Sequence, residues 1–130
     1  MSEKFNLEII SPDKTLLKLE VNQVVIPSFE GLMTILKDHV SLVTFLRPGF
    51  IEVDSGGKVD KFFTEEGTVE FSKNRLLILS STVINLKDLS ESSKNKIIEE
   101  SRKEIEKNQI TDKEKYILSY KIESLQEINQ

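Results

Sequence analysis

The residues that build turns and the residues that build long helices are separated along this chain. All five glycines, three prolines and seven phenylalanines come before residue 73, and neither glycine nor proline occurs after Gly67. Glycine and proline interrupt regular structure, and here they recur at roughly the 8–12-residue spacing typical of sandwiches and barrels. The sequence therefore predicts an antiparallel β sandwich, flattened like a barrel, over residues 1–84. It predicts a C-terminal α-helical hairpin over residues 85–130.

The region between residues 24 and 53 contains the clearest strand and turn signals. The apolar run at residues 24–26 is expected to stop at Pro27, which has no N–H to give to a sheet ladder. Residues 28–31 have the pattern of a tight turn in which Gly31 takes a positive φ. Arg47-Pro48-Gly49 fits a type II turn, with proline in the second position and glycine in the third. Further turns are expected at residues 54–57 and 73–74.

Two helix starts are visible in the last third of the chain. The segment Asp-Leu-Ser-Glu at residues 88–91 can cap a first helix, whose apolar stripe is thin because Ser93 and Ser101 stand at helical spacing. Thr111 and Glu114 form a capping box at the start of a second helix. The connection at residues 108–110 is short, so we expect the two helices to pack as an antiparallel hairpin.

Composition excludes several classes of protein. The net charge of −4 argues against a general nucleic-acid binder. There is no cysteine, which excludes disulfides and thiolate metal sites, and the single histidine cannot build a multi-histidine site. A carboxylate metal site stays open. No apolar run approaches the roughly 20 residues of a membrane-spanning helix, and the N-terminus does not resemble a signal peptide. We therefore expect a soluble protein made in the cytosol.

Three groups of residues are candidates for catalysis or ligand binding, and each is better explained by a structural role. His39 next to Asp38 could act as a base, but no nucleophile motif accompanies it. Glu65 and Glu66 are adjacent, so in a strand their carboxylates would point to opposite faces. The glycine pair at residues 56–57 lacks the flanking residues of a phosphate-binding loop. We predict no catalytic, cofactor or metal site, and expect the protein to work by binding.

The order of residues through the central region resembles the epsilon subunit of F-type ATP synthases. The matching residues are Glu30, Gly31, Ile35, His39, Leu42, Thr44, Leu46, Pro48 and Gly49. Further similarity covers nearly the whole chain, from Ser11-Pro12 after the first strand to the helical tail. The chain departs from the family at Thr34, where a small residue is usual, and at Lys37-Asp38, where Pro-Gly is usual.

This resemblance implies a non-catalytic subunit of the central stalk, or rotor. Such a subunit couples proton translocation through the c ring to ATP synthesis by binding the gamma subunit and the c ring. Its helical tail can contact the catalytic alpha/beta head and restrain ATP hydrolysis. It sits peripherally on the cytoplasmic face of the bacterial inner membrane, without inserting into the membrane. By position, the resemblance implies that Glu30, Gly31 and Leu32 face the c ring and that Ser11, His39 and Thr44 face gamma.

Nucleotide binding by the tail is not expected. Some members of the family bind ATP there through an Ile/Leu-Asp-x-x-Arg start and several arginines on the second helix. Leu86 matches the first of these positions, but Lys87 stands where the aspartate would be, and no arginine follows Arg102. Lysine does not offer phosphate the forked donor geometry of arginine.

Two other functions remain open at this point. A small β-sandwich ligand-binding module would cluster aromatic or carboxylate side chains around a concave site, whereas most phenylalanines here fall in strand patterns and there is no tryptophan. A free-standing regulatory adaptor would share the predicted fold but not the association with gamma.

Overall fold

The computed structural model of the chain describes residues 3–107 and 111–127. Ten strands are followed by a short 3-10 helix and two α-helices. The strands are β1 (Phe5–Ile10), β2 (Thr15–Val21), β3 (Gln23–Ser28), β4 (Gly31–Leu36), β5 (Leu42–Leu46), β6 (Gly49–Ser55), β7 (Lys58–Thr64), β8 (Gly67–Ser72), β9 (Arg75–Leu79) and β10 (Ile84–Asn85). The 3-10 helix spans Leu86–Asp88, and the α-helices are α1 (Glu91–Ile105) and α2 (Asp112–Gln126).

All ten strands belong to one curled sheet. Their order is β10-β7-β6-β3-β5-β8-β9-β1-β2, with β4 paired to β3. Side chains on the concave side form a closed apolar core that includes Phe5, Ile26, Ile51, Phe71 and Ile78. The predicted flattened, barrel-like sandwich with a helical tail is confirmed. One feature was not predicted: β1 pairs in parallel with β9, while the other described pairs are antiparallel.

Adjacent phenylalanines on β7 join the sheet to the tail. Consecutive strand residues point to opposite faces of a sheet. Phe62 therefore enters the sandwich core, and Phe63 points outward into a second apolar cluster with Ile98 of α1 and Leu125 of α2. Phe50 on β6 pairs with Phe63 on β7 and packs against the same cluster. The outer face of β6 and β7 is thus the platform for the helical hairpin.

The predicted tight turns at residues 28–31, 54–57 and 73–74 are confirmed. Gly31 has a φ of 122°, and it closes the two-residue loop between β3 and β4. Gly56 and Gly57 have φ values of 64° and 87°, and Lys73 and Asn74 have values of 49° and 57°. In the last two turns, two successive residues have a positive φ. This backbone conformation matches the natural twist of paired strands, so a two-residue loop can join them as a hairpin.

Two local predictions were wrong. Strand β3 does not end before Pro27 but continues to Ser28. On the side of β3 away from β4, pairing with β6 ends at Val25 and pairing with β5 occurs at Ser28. Pro27 lies between these two partners, where no backbone N–H is needed for sheet pairing. Gly49 does not have a positive φ, so the segment 47–49 is not a type II turn. Gly49 instead allows close packing, because a Cβ there would lie 2.7 Å from the Cβ of Pro27.

Both predicted helix caps are confirmed. Ser90 Oγ accepts a hydrogen bond from the Ser93 amide at 3.1 Å, and Thr111 Oγ1 accepts one from the Glu114 amide at 3.1 Å. The two helices pack against each other, and the predicted connection at residues 108–110 lies outside the described residues. The inward stripe of α1 also contains the buried Lys94, whose Nζ pairs with the Glu91 carboxylate at 3.0 Å.

The predicted division at residues 84 and 85 falls inside β10. Ile84 pairs with Phe63 and Asn85 with Phe62, so the last strand of the sheet includes the first residue of the predicted tail. The division into two functional parts stays a prediction. Within the described ranges, no helix is long and apolar enough to cross a membrane.

Candidate interaction surfaces

The β3–β4 turn (residues 28–32) stands at one end of the curled sheet. Ser28 is buried, and its Oγ donates to the Gly31 carbonyl at 2.6 Å and accepts from the Glu30 amide at 3.3 Å. Leu32 is 72% exposed, and Glu30 is also exposed. The fold therefore presents Glu30, Gly31 and Leu32 together at the tip of a hairpin that the hydrogen bonds of Ser28 stabilise.

Ser11, His39 and Thr44 do not form one site. Ser11 follows β1 at the same end of the sheet as the β3–β4 turn, and its Oγ donates to the Lys14 carbonyl at 3.1 Å. His39 lies at the opposite end, where its ring packs edge-on against Phe71 at 5.9 Å and its Nδ1 donates to the Val40 carbonyl. Thr44 is in the middle of β5, paired with Val69 on the half-buried inner face.

The structure shows an exposed apolar surface on the convex side of the sheet; the sequence led us to expect an apolar face on the sandwich but did not identify its residues. Val43 and Phe45 on β5 are 67% and 60% exposed, and Leu79 on β9 is 44% exposed. Phe45 pairs with Thr68, which pairs with Leu79, so these side chains share one face. We call Val43, Phe45 and Leu79 the outer apolar face. The signal was present in the sequence, because β5 is apolar on both of its alternating sides, and a contiguous exposed apolar patch marks an interaction site.

The docked tail makes polar contacts with the sandwich in addition to the second apolar cluster. The Lys121 ammonium pairs with the Glu65 carboxylate, and Ser124 Oγ donates to the Pro48 carbonyl at 3.4 Å. The Lys87 ammonium lies 3.8 Å from the Asp60 carboxylate. The absence of a nucleotide site in the tail stays a prediction.

The candidate acid–base groups are used for local structure. The Asp38 carboxylate accepts from Asn74 Nδ2 at 2.9 Å, and the Asp38 amide donates to Asn74 Oδ1 at 2.7 Å. These bonds tie the β4–β5 loop to the β8–β9 turn and leave His39 bonded to a backbone carbonyl. Among residues 3–107 and 111–127, no group of three or more acidic, histidine or cysteine side chains is placed to hold a metal ion.

Comparison with known proteins identifies the class of this fold. Residues 4–86 match the family model described as "ATP synthase, Delta/Epsilon chain, beta-sandwich domain". The ATP synthase epsilon chain of Pelagibacter ubique is 40% identical over 130 residues, which is 99% of this chain and 100% of that protein. The epsilon chain of Allorhizobium ampelinum is 32% identical over 107 residues, covering 82% of this chain and 79% of that one. The chain belongs to the ATP synthase epsilon chain family.

Solved structures agree with this fold. A chain in the cryo-EM structure of the Euglena gracilis mitochondrial ATP synthase superposes with a TM-score of 0.82 at 22% identity, covering 100% of this chain and 83% of that chain. A chain in the central stalk and c-ring structure of the Tetrahymena thermophila enzyme gives a TM-score of 0.67 at 15% identity, covering 96% of each chain. At these identities the likeness concerns the fold alone.

Proposed function

We propose that this chain is a non-catalytic rotor subunit of an F-type, proton-translocating ATP synthase. It couples proton flow through the c ring to ATP synthesis by binding gamma and the c ring. It works as a peripheral protein on the cytoplasmic face of the bacterial inner membrane. The observation that carries this proposal is the 40% identity to an epsilon chain over the full length of both proteins.

Gamma binds along β5 and β9 on the outer apolar face. Three large apolar side chains exposed on one side of a small domain are costly unless a partner covers them. Ser11 adjoins the β9 end of this face and His39 precedes β5, so both lie at its margins. The Thr44 side chain points to the opposite, inner side of β5, so this face does not include it. A specific interface here would bury on the order of 1,200–2,000 Å² in total.

The c ring meets the β3–β4 turn. Glu30 and Leu32 are exposed at the tip, and the hydrogen bonds of Ser28 limit the conformations of the turn. A pre-shaped turn loses little conformational entropy when a partner binds. The helical hairpin is the regulatory part: it leaves the sandwich to contact the alpha/beta head and restrain ATP hydrolysis.

The experiment that tests this function measures binding to purified gamma. Phe45→Asp puts a charge at the centre of the outer apolar face, so we expect affinity to fall about tenfold or more, as for an interface anchor. Val59→Asp is the matched control, because Val59 is a 52% exposed strand residue on β7, away from that face. Failure of the wild-type chain to bind gamma at micromolar concentration would refute the proposal. Equal losses in the two variants would refute the assignment of this face.

A further inference from the structure

A continuous row of aromatic and cationic side chains connects α2 to the end of the sandwich. The Phe29 and Tyr116 rings are stacked with centroids 6.4 Å apart, and Tyr116 packs edge-on against Tyr120 at 4.7 Å. The Arg47 guanidinium lies 4.0 Å from the centre of the Tyr120 ring. We call Phe29, Arg47, Tyr116 and Tyr120 the aromatic latch. Two of its members come from the sandwich and two from α2, so it forms only while the tail is docked.

The two sandwich members of the latch are fixed to each other through the backbone. Phe29 is the first loop residue of the β3–β4 turn, and its amide donates to the Phe45 carbonyl at 3.2 Å. Arg47 directly follows β5, and its amide donates to the Pro27 carbonyl at 2.9 Å. The latch therefore contacts the turn in two places: directly at Phe29, and through Arg47 at the strand end that precedes the turn.

The latch contacts the turn at Phe29 and leaves the neighbouring tip residues exposed. Phe29 is 37% exposed under Tyr116, and Lys113 approaches the same ring at 5.9 Å. Glu30 and Leu32, which follow Phe29 in the turn, are exposed while the tail is docked and stay open to a partner. Docking of α2 thus restrains the residue next to the binding tip without covering the tip itself.

We infer that the aromatic latch couples tail docking to the shape of the β3–β4 turn, so that a partner bound at the turn stabilises the docked tail. Coupling between two binding events is reciprocal, so the docked tail strengthens partner binding by the same factor. The coupling within the chain is inferred from the contacts among Phe29, Tyr116, Tyr120 and Arg47. The identity of the partner as the c ring rests on the proposed function.

The first experiment uses the full chain alone and follows amide hydrogen exchange. Arg47→Gln removes the cation from the Tyr120 ring, and we expect the amides of α2 to exchange about threefold to tenfold faster, the loss typical of one such contact. Arg75→Gln is the matched control, because Arg75 is an exposed arginine on β9, away from the tail. Equal exchange of α2 in the two variants would overturn the inference.

The reverse direction is tested by changing the tail and observing the turn. Tyr116→Ala should speed exchange of the Phe29 and Glu30 amides, both of which are hydrogen-bonded in the turn. Ser119→Ala on an exposed part of α2 is the control, and the Gly57 amide in the distant β6–β7 hairpin is the internal reference. Unchanged exchange at Phe29 and Glu30, although α2 has loosened, would overturn the coupling.

The second experiment compares the complete ATP synthase with its soluble sector lacking the c ring. The α2 amides should exchange more slowly in the complete enzyme, and this difference should shrink in Arg47→Gln. Equal or faster exchange of α2 in the complete wild-type enzyme would overturn the stabilising sign of the coupling. If the chain does not bind the c ring at all, the proposed function is refuted. The exchange results on the isolated chain still test whether the aromatic latch couples the tail to the turn.

Discussion

At the scale of single residues, the β3–β4 turn depends on the backbone conformation of Gly31. Its φ is 122°, and nothing lies within 4 Å of the position a Cβ would occupy. Space is therefore not limiting, and the cost of a side chain comes from the φ value alone. We expect Gly31→Val to lower the free energy of unfolding by about 1–3 kcal/mol, measured by urea titration.

Ser28→Ala is the comparison for that variant. It removes the buried hydroxyl that donates to the Gly31 carbonyl at 2.6 Å, a loss of about 0.5–1.5 kcal/mol. The glycine substitution should therefore be the more damaging of the two, both to stability and to assembly with the c ring. Equal stability of the two variants would show that the turn tolerates a side chain at Gly31.

Tyr116 makes tail docking sensitive to alkaline pH. The adjacent Tyr120 side chain, followed by desolvation, raises the pKa of Tyr116 above its ordinary value of 10.0, while the charge of Arg47 acts to lower it. A group with a raised pKa contributes stability that is complete below its free pKa and is lost as pH rises through the docked-state pKa. The tail should therefore loosen above about pH 10.

The Tyr116→Phe variant isolates this effect. It keeps the ring against Phe29 but removes the titrating hydroxyl, so its alkaline loosening should be weaker than that of the wild type. The other charged groups near the contact, Arg47, Lys113 and Lys121, are the same in both proteins and cancel in the comparison. Identical pH profiles of α2 amide exchange would exclude a role for the Tyr116 hydroxyl.

At the scale of elements, α1 is a weak helix that tertiary packing holds in place. Ser101 is buried in its inward stripe, and its hydroxyl donates back to the Ile97 carbonyl at 2.8 Å. Such a bond slightly destabilises a helix, and alanine is the better helix former. Ser101→Ala should therefore stabilise the docked tail by about 0.5 kcal/mol, measured by amide exchange across α1.

The control for this change is Ser119→Ala on the exposed side of α2. It reports the gain from helix propensity without any change in burial. A loss of protection in Ser101→Ala would mean that the buried hydroxyl stabilises the helix more than the alanine does.

At the scale of the whole molecule, the sandwich and the tail have separate apolar clusters. The sandwich core is closed on itself, while the second cluster joins Phe63 of the sheet to Ile98 and Leu125 of the tail. We expect a chain that ends at Asp88, and so keeps β10, to fold and to support proton-driven ATP synthesis after reconstitution. ATP hydrolysis should rise in the same preparation, because the regulatory helices are gone.

Circular dichroism of the shortened chain is the necessary check on this result. Removal of the tail uncovers Phe50 and Phe63 on the outer face of β6 and β7, so some loss of thermal stability is expected. Disappearance of ATP synthesis with a folded sandwich would show that the tail belongs to the coupling machinery and is not only its regulator.

Much of the local structure could be predicted because its causes are local. The left-handed turns at Gly31, at residues 56–57 and at residues 73–74, and the caps at Ser90 and Thr111, each follow from a few adjacent side chains. Pro27 was misjudged because the cost of its missing N–H depends on which strands lie beside it, and that is settled far away in the sequence.

The sequence by itself determined the order of elements, the positions of turns and caps, and the resemblance that the family match confirmed. Only the tertiary structure decided the parallel pairing of β1 with β9, the exposure of Val43 and Phe45, and the stacking of Tyr116 on Phe29. These features join residues that are distant along the chain or depend on which side of a two-sided apolar strand is covered. Local propensity contains no information about that choice, because it is made when the sheet curls and the helices dock.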